Sequence, residues 1–120
     1  MCVATIKGKV RKAVVKKSSD NKSAKGYLYI EVDENGIEQN TSKDKYYKPL
    51  LVEDSNTFCA QEVKKDEDYY YVEICVPSWL ISILSIPSVI RKKMKIKFEC
   101  ASTPETQIKE DKIVECEIYE

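Results

Sequence analysis

The stretch "VATIKGKVRKAVVKK", Val3 to Lys17, is where the fold is decided. Ile6, Val10 and Val14 share one parity, and Lys7, Lys9 and Arg11 share the other. That alternation is the mark of a strand with one face on a core and one in water. The run is long for a strand, and Gly8 interrupts it. A glycine inside a strand marks a bend or bulge, because it has no side chain to pack and tolerates close backbone approach. A long strand that bends at Gly8 is what a sheet curving into a barrel requires.

Downstream, "KSSDNKSAKG", Lys17 to Gly26, is a polar turn-rich loop. In "YLYIEVDENG", Leu28, Ile30 and Val32 oppose Tyr27, Tyr29 and Glu31, and the segment ends in a turn over Asp33 to Gly36. Residues 37–65 hold two short strand patterns, "YYKPLLVE" and "TFCAQEV". Pro49 demotes the first to an edge, since proline cannot donate to a ladder. "EDSN" and "KKDED" read as turns. In "DEDYYYVEICV", Tyr70 joins Val72, Ile74 and Val76 on the core side, while Tyr69, Tyr71, Glu73 and Cys75 face the other way.

A helix is predicted from Ser78, a favoured N-cap residue, with Leu80, Ile83 and Leu84 on one face and Trp79 anchoring it. Pro87 ends it, and Ser88 caps a further turn towards Lys93. "MKIKFEC" then alternates, with Met94, Ile96, Phe98 and Cys100 inward and Lys93, Lys95, Lys97 and Glu99 outward. "KIVECEIYE" closes the chain with Val114, Cys116 and Ile118 inward.

The expected class is mainly β with one short helix, in a single domain over 1–120. Five main strands, with the helix between the third and fourth, resemble the OB-fold, a small Greek-key barrel. The resemblance is one of element order over most of the chain. It implies a hairpin or small sheet inserted at 37–65, between the second and third main strands, where a structureless loop of that length would be out of place. An SH3-like barrel and an open α+β sheet are the alternatives.

Hydrophobic residues make up 42% of the chain and charged residues 33%, a globular balance. The formal charge of zero conceals a pattern: residues 1–25 carry eight cations and one acid, whereas 26–90 carry five cations and twelve acids. A second basic run is "RKKMKIK", Arg91 to Lys97. Segregated charge speaks to partners rather than to fold. The apolar run from Val76 to Ile90 is too short for a membrane span and is broken by Pro77 and Pro87. With no apolar leader ahead of the lysines, a cytoplasmic location is expected. The five cysteines are irregularly spaced, and the expectation is small thiols in a reducing compartment, with Cys100–Cys116 as one bridge open to the pattern.

No histidine, paired-cysteine motif or glycine-rich phosphate loop is present, so neither an enzyme, a metal site nor a cofactor is expected. The outward faces are more informative. Lys7, Lys9 and Arg11 on the first strand, Lys16 and Lys17 at its end, Tyr27 and Tyr29 on the second strand, and Tyr69 and Tyr71 on the third place cations beside aromatic rings. Cations attract phosphate, and rings stack on bases. The OB resemblance implies sequence-tolerant binding of single-stranded DNA or RNA through these residues. The acidic middle of the chain favours the other reading, a protein–protein interaction module or homo-oligomer using the same face.

Overall fold

The computed structural model describes residues 2–17, 19–76 and 92–119. Among these residues nine strands form one sheet: β1 (Val3–Lys17), β2 (Ala24–Val32), β3 (Glu38–Asn40), β4 (Lys45–Leu51), β5 (Phe58–Asp66), β6 (Tyr69–Val76), β7 (Lys93–Glu99), β8 (Gln107–Ile108) and β9 (Ile113–Ile118). The order is β3-β4-β5-β6-β2-β1-β7-β9, antiparallel throughout, and this path does not close on itself. Off the path, β8 pairs with β6 in parallel. Among the described residues the one helical element is a 3-10 turn, Glu110–Lys112. The helix expected from Ser78, and Trp79 with it, lie outside the described residues.

The bend expected at Gly8 is present. The first half of β1 pairs with β7, from Val3↔Glu99 to Lys9↔Lys93, and the second half pairs with β2. The crossing is tight enough that a Cβ on Gly8 would sit 1.7 Å from the Glu31 carbonyl oxygen. Just beyond it, the β1–β2 register shifts between Val10 and Lys12, a β-bulge. The shift corrects the expected parity of the strand's end. Ala13, opposite Leu28, turns toward the core, while Val14, opposite Tyr27, turns away from it.

The expected inward residues meet in one core. Ile6 and Val10 of β1, Leu28 and Ile30 of β2, Val72 and Ile74 of β6, and Met94, Ile96 and Phe98 of β7 are all buried. Burial of each such side chain is worth about 1.5–3 kcal/mol. Tyr70 packs against the edge of this core, edge-on to Tyr46 at 5.4 Å. Val114, Cys116 and Ile118 do not reach it. Ile118 and Cys116 face Met94 and Ile96, but β9 ends the strand order on its side, no further strand flanks it among the described residues, and the three stay exposed.

The stretch at 37–65 holds three strands instead of the expected two. β3, β4 and β5 form an antiparallel meander, and β5 continues through "KKD", expected as a turn, to pair with β6 from Lys64↔Tyr71 to Asp66↔Tyr69. The insertion therefore extends the main sheet. Pro49 lies opposite Ala60 and beyond the reach of β3, where β4 has lost its second ladder. A bridge joins Cys59 of β5 to Cys100 just after β7, with Cα atoms 6.5 Å apart. This corrects two expectations: Cys100 is not bonded to Cys116, and not all cysteines are thiols.

Candidate functional site

The bulge in β1, the middle of β2 and the start of β6 build the aromatic face. Cross-strand register sets Lys12 opposite Tyr29, Tyr29 opposite Glu73, and Glu31 opposite Tyr71. The Tyr29 and Tyr71 rings lie on a diagonal of this lattice and stack, with centroids 4.3 Å apart and planes at 18°. Tyr69 leans on Tyr71 at 5.7 Å. The bulge aims the Arg11 guanidinium over Tyr69 at 4.3 Å, and Lys16 lies 4.8 Å above the Tyr27 ring. The four tyrosines are thus brought together as expected, but their faces are covered by one another and by Arg11 and Lys16.

The cations of this face are occupied as well. Arg11 pairs with Glu31 at 2.7 Å and approaches Asp68 at 3.9 Å, and Lys12 pairs with Asp66 at 3.3 Å. Glu73 is 1% exposed and accepts from Lys64 at 2.6 Å, Gln107 at 2.9 Å and Lys16 at 3.2 Å. These donors come from β5, β8 and β1, so one carboxylate ties four strands. Burial opposes ionisation of Glu73, yet the three donors prevail and hold its carboxyl below the usual range. The Lys16 ammonium is correspondingly held above its usual range, chiefly by the bond to Glu73. Burial and then the bond to Asp66 push the Tyr69 hydroxyl up to about 12. Burial and then the neighbouring Tyr29 do the same for Tyr71, again to about 12. Four cations (Arg11, Lys12, Lys16, Lys64) thus meet four acids (Glu31, Asp66, Asp68, Glu73), and the face is close to neutral.

Lys7 and Lys9 are not part of that lattice. They lie on the other half of β1, opposite Lys95 and Lys93 of β7, so two rungs, with Gly8↔Met94 between them, hold four facing lysines. Among the described residues no carboxylate pairs with Lys7 or Lys9, and Lys95 reaches Glu117 only at 3.9 Å. The next lysine along, Lys97, differs. Glu53 at 3.1 Å and Glu115 at 3.9 Å neutralise it, and the bond to Glu53 raises its ammonium above the usual range. A second basic spot lies at the tip of the β1–β2 hairpin, where Lys16, Lys17, Ser23, Lys25 and Tyr27 line a cavity of about 220 Å³.

The sequence signal for β7's contribution was the outward parity Lys93, Lys95, Lys97. What it lacked was the pairing of β7 with β1, which sets those lysines against Lys7 and Lys9. Among the described residues no group of His, Cys, Asp or Glu is arranged to hold a metal ion, and no helix is long and apolar enough to cross a membrane. The chain matches no protein-family model, no curated protein and no solved structure.

Proposed function

We propose that this protein binds single-stranded DNA or RNA with little sequence preference, chiefly through the phosphates. The observation that supports this reading is the pair of facing lysine rungs, Lys7–Lys95 and Lys9–Lys93. Like charges directly opposite in a ladder destabilise a sheet. A phosphate backbone laid along Lys7 and Lys9, which no carboxylate pairs among the described residues, offsets that repulsion and releases its counterions. The hairpin lysines Lys17 and Lys25 form a separate basic spot at the far end of β1. An OB-like Greek-key barrel accords with the pairing of β1 to both β2 and β7 and with the parallel pairing of β6 and β8. The tyrosine cluster, with its rings already stacked and capped, leaves base stacking a small part.

Fluorescence titration of a labelled single-stranded oligonucleotide at several salt concentrations tests this. With four lysines engaged, log K against log salt should fall with a slope of about −3, from roughly 0.7 per phosphate contact. The double variant Lys7→Glu/Lys9→Glu should bind at least tenfold more weakly with a shallower slope, while Tyr29→Leu binds like wild type. Absence of binding at low salt, or wild-type affinity in the double variant, rejects the proposal.

One observation favours a second reading, a protein–protein module. β9 ends the sheet with Val114, Ile118 and Tyr119 exposed and no further strand beside it among the described residues, and such edges pair with strands of other chains. Light scattering separates the two, since this reading requires a defined oligomer without nucleic acid.

A further inference from the structure

The molecule has a second feature, unconnected with the lysine track. A cavity of about 370 Å³ opens where the start of β1, the β4–β5 turn and the segment after β7 meet. Three of the five cysteines, Cys2, Cys59 and Cys100, line it, with Phe58 and Val52 as its main apolar walls. Cys59 and Cys100 are bonded to each other, and Cys2 is a free, exposed thiol. The β1–β7 ladder sets Cys2 against Cys100. Val3 faces Glu99, and the Cys100 N–H donates to the Cys2 carbonyl at 2.8 Å. Residues directly opposite in a ladder have Cβ atoms about 4.5–5.5 Å apart, close to the 3.5–4.5 Å separation of a disulfide. Cys100 therefore has two partners within reach, one across the cavity on β5 and one beside it just ahead of β1.

We propose that Cys2, Cys59 and Cys100 form a thiol–disulfide exchange site whose substrates are small disulfides entering through this cavity. In the first step the Cys2 thiolate attacks Cys100 Sγ. The Cys2–Cys100 bond forms as the Cys59–Cys100 bond breaks, and the electron pair leaves on Cys59 Sγ. The sulfur freed takes up the proton that Cys2 gave to water, so the step needs no external oxidant. Cys59 is then a thiol in the cavity beside Phe58, whose ring is exposed. In the second step its thiolate attacks a disulfide RSSR, forming the mixed disulfide Cys59–S–SR and releasing RS⁻. The exchange also moves the covalent tie. In one state it joins the inserted β4–β5 hairpin to β7. In the other it joins β1 to β7, strands that are already hydrogen-bonded.

The three cysteines fall on three tryptic peptides, ending at Lys7, Lys64 and Lys109, so their linkages can be told apart by mass spectrometry. Native protein is incubated with oxidised glutathione, acid-quenched, alkylated and mapped without reduction. Wild type should give the Cys2–Cys100 linkage and a glutathione adduct on Cys59. Cys2→Ser, a change at an exposed position, should keep Cys59–Cys100 and lose the Cys59 adduct at least tenfold. Far-UV circular dichroism confirms that this variant is folded. A wild-type map with adduct on Cys2 alone, or equal Cys59 adduct in Cys2→Ser, overturns the proposal.

Discussion

Glu73 shows how one residue can serve a site without touching a ligand. Its carboxylate is among the most buried groups in the molecule and is held between Lys64, Lys16 and Gln107. Removing its charge strands the two ammonium groups, so Glu73→Gln should cost about 2 kcal/mol in chemical denaturation at pH 7, the range for hydrogen bonds to charged groups. Because the folded carboxyl titrates below the unfolded value of 4.5, its contribution is present above that pH and is lost as pH falls through the folded value. The gap between wild type and variant should therefore narrow as pH falls below 4.5. The tyrosines give the opposite sign. With Tyr69 and Tyr71 raised to about 12, folding is favoured below pH 10 and loses this contribution between pH 10 and 12. Absorbance titration at alkaline pH should show these two ionising near pH 12, about two units above free tyrosine; a single transition near 10 contradicts it. The grouping of Tyr27, Tyr29, Tyr69 and Tyr71 on one face was legible, because strand parity is a local property. Which groups cover the rings was not, since Arg11 and Lys16 arrive from a third strand.

At the scale of the element, β1 decides most of the geometry. Gly8 was readable as a bend because only glycine lacks the Cβ that would meet the Glu31 carbonyl. Gly8→Ala should destabilise by about 3 kcal/mol or prevent folding, as the contact is with backbone that cannot rotate away. A stability within 1 kcal/mol of wild type would show that β1 and β2 can part there. The bulge at Arg11 was not readable. "RKAVV" supports either parity, since Ala13, Val14 and Val15 are all apolar. The tie was broken by pairing: Leu28 lies in the core, Ala13 lies opposite it, and Val14 is left facing Tyr27. That one-residue shift is also what brings Arg11 over Tyr69 and Lys16 over Tyr27.

For the whole molecule, the insertion and the bridge set the energetics. Cys59–Cys100 closes a loop of 41 residues, which by chain entropy is worth about 4 kcal/mol. Mild reduction should lower the urea midpoint accordingly. The Cys59→Ser variant should match reduced wild type when both are under reductant, a check by equilibrium unfolding that isolates the bridge from the exchange. Charge also acts at this scale. Zero net charge resolves into a neutral tyrosine face and a set of lysines that face one another across β1 and β7, so an oligonucleotide should shift the backbone resonances of Lys7, Lys9, Lys93 and Lys95 in NMR more than those of Tyr29 or Tyr71. The reverse pattern would return the tyrosines to the site.

Alternation by itself determined the strands β1, β2, β6 and β7, most of their core residues and the bend at Gly8, because a period of two and a missing Cβ are properties of the local chain. The tertiary structure alone decided which faces meet: that 37–65 joins the main sheet, that Lys7 and Lys9 oppose lysines while Arg11 and Lys16 cover tyrosines, and that Cys100 lies between Cys59 and Cys2. Those outcomes depend on register between strands up to about ninety residues apart. Register is set by packing of the whole core, and no short window of sequence contains it.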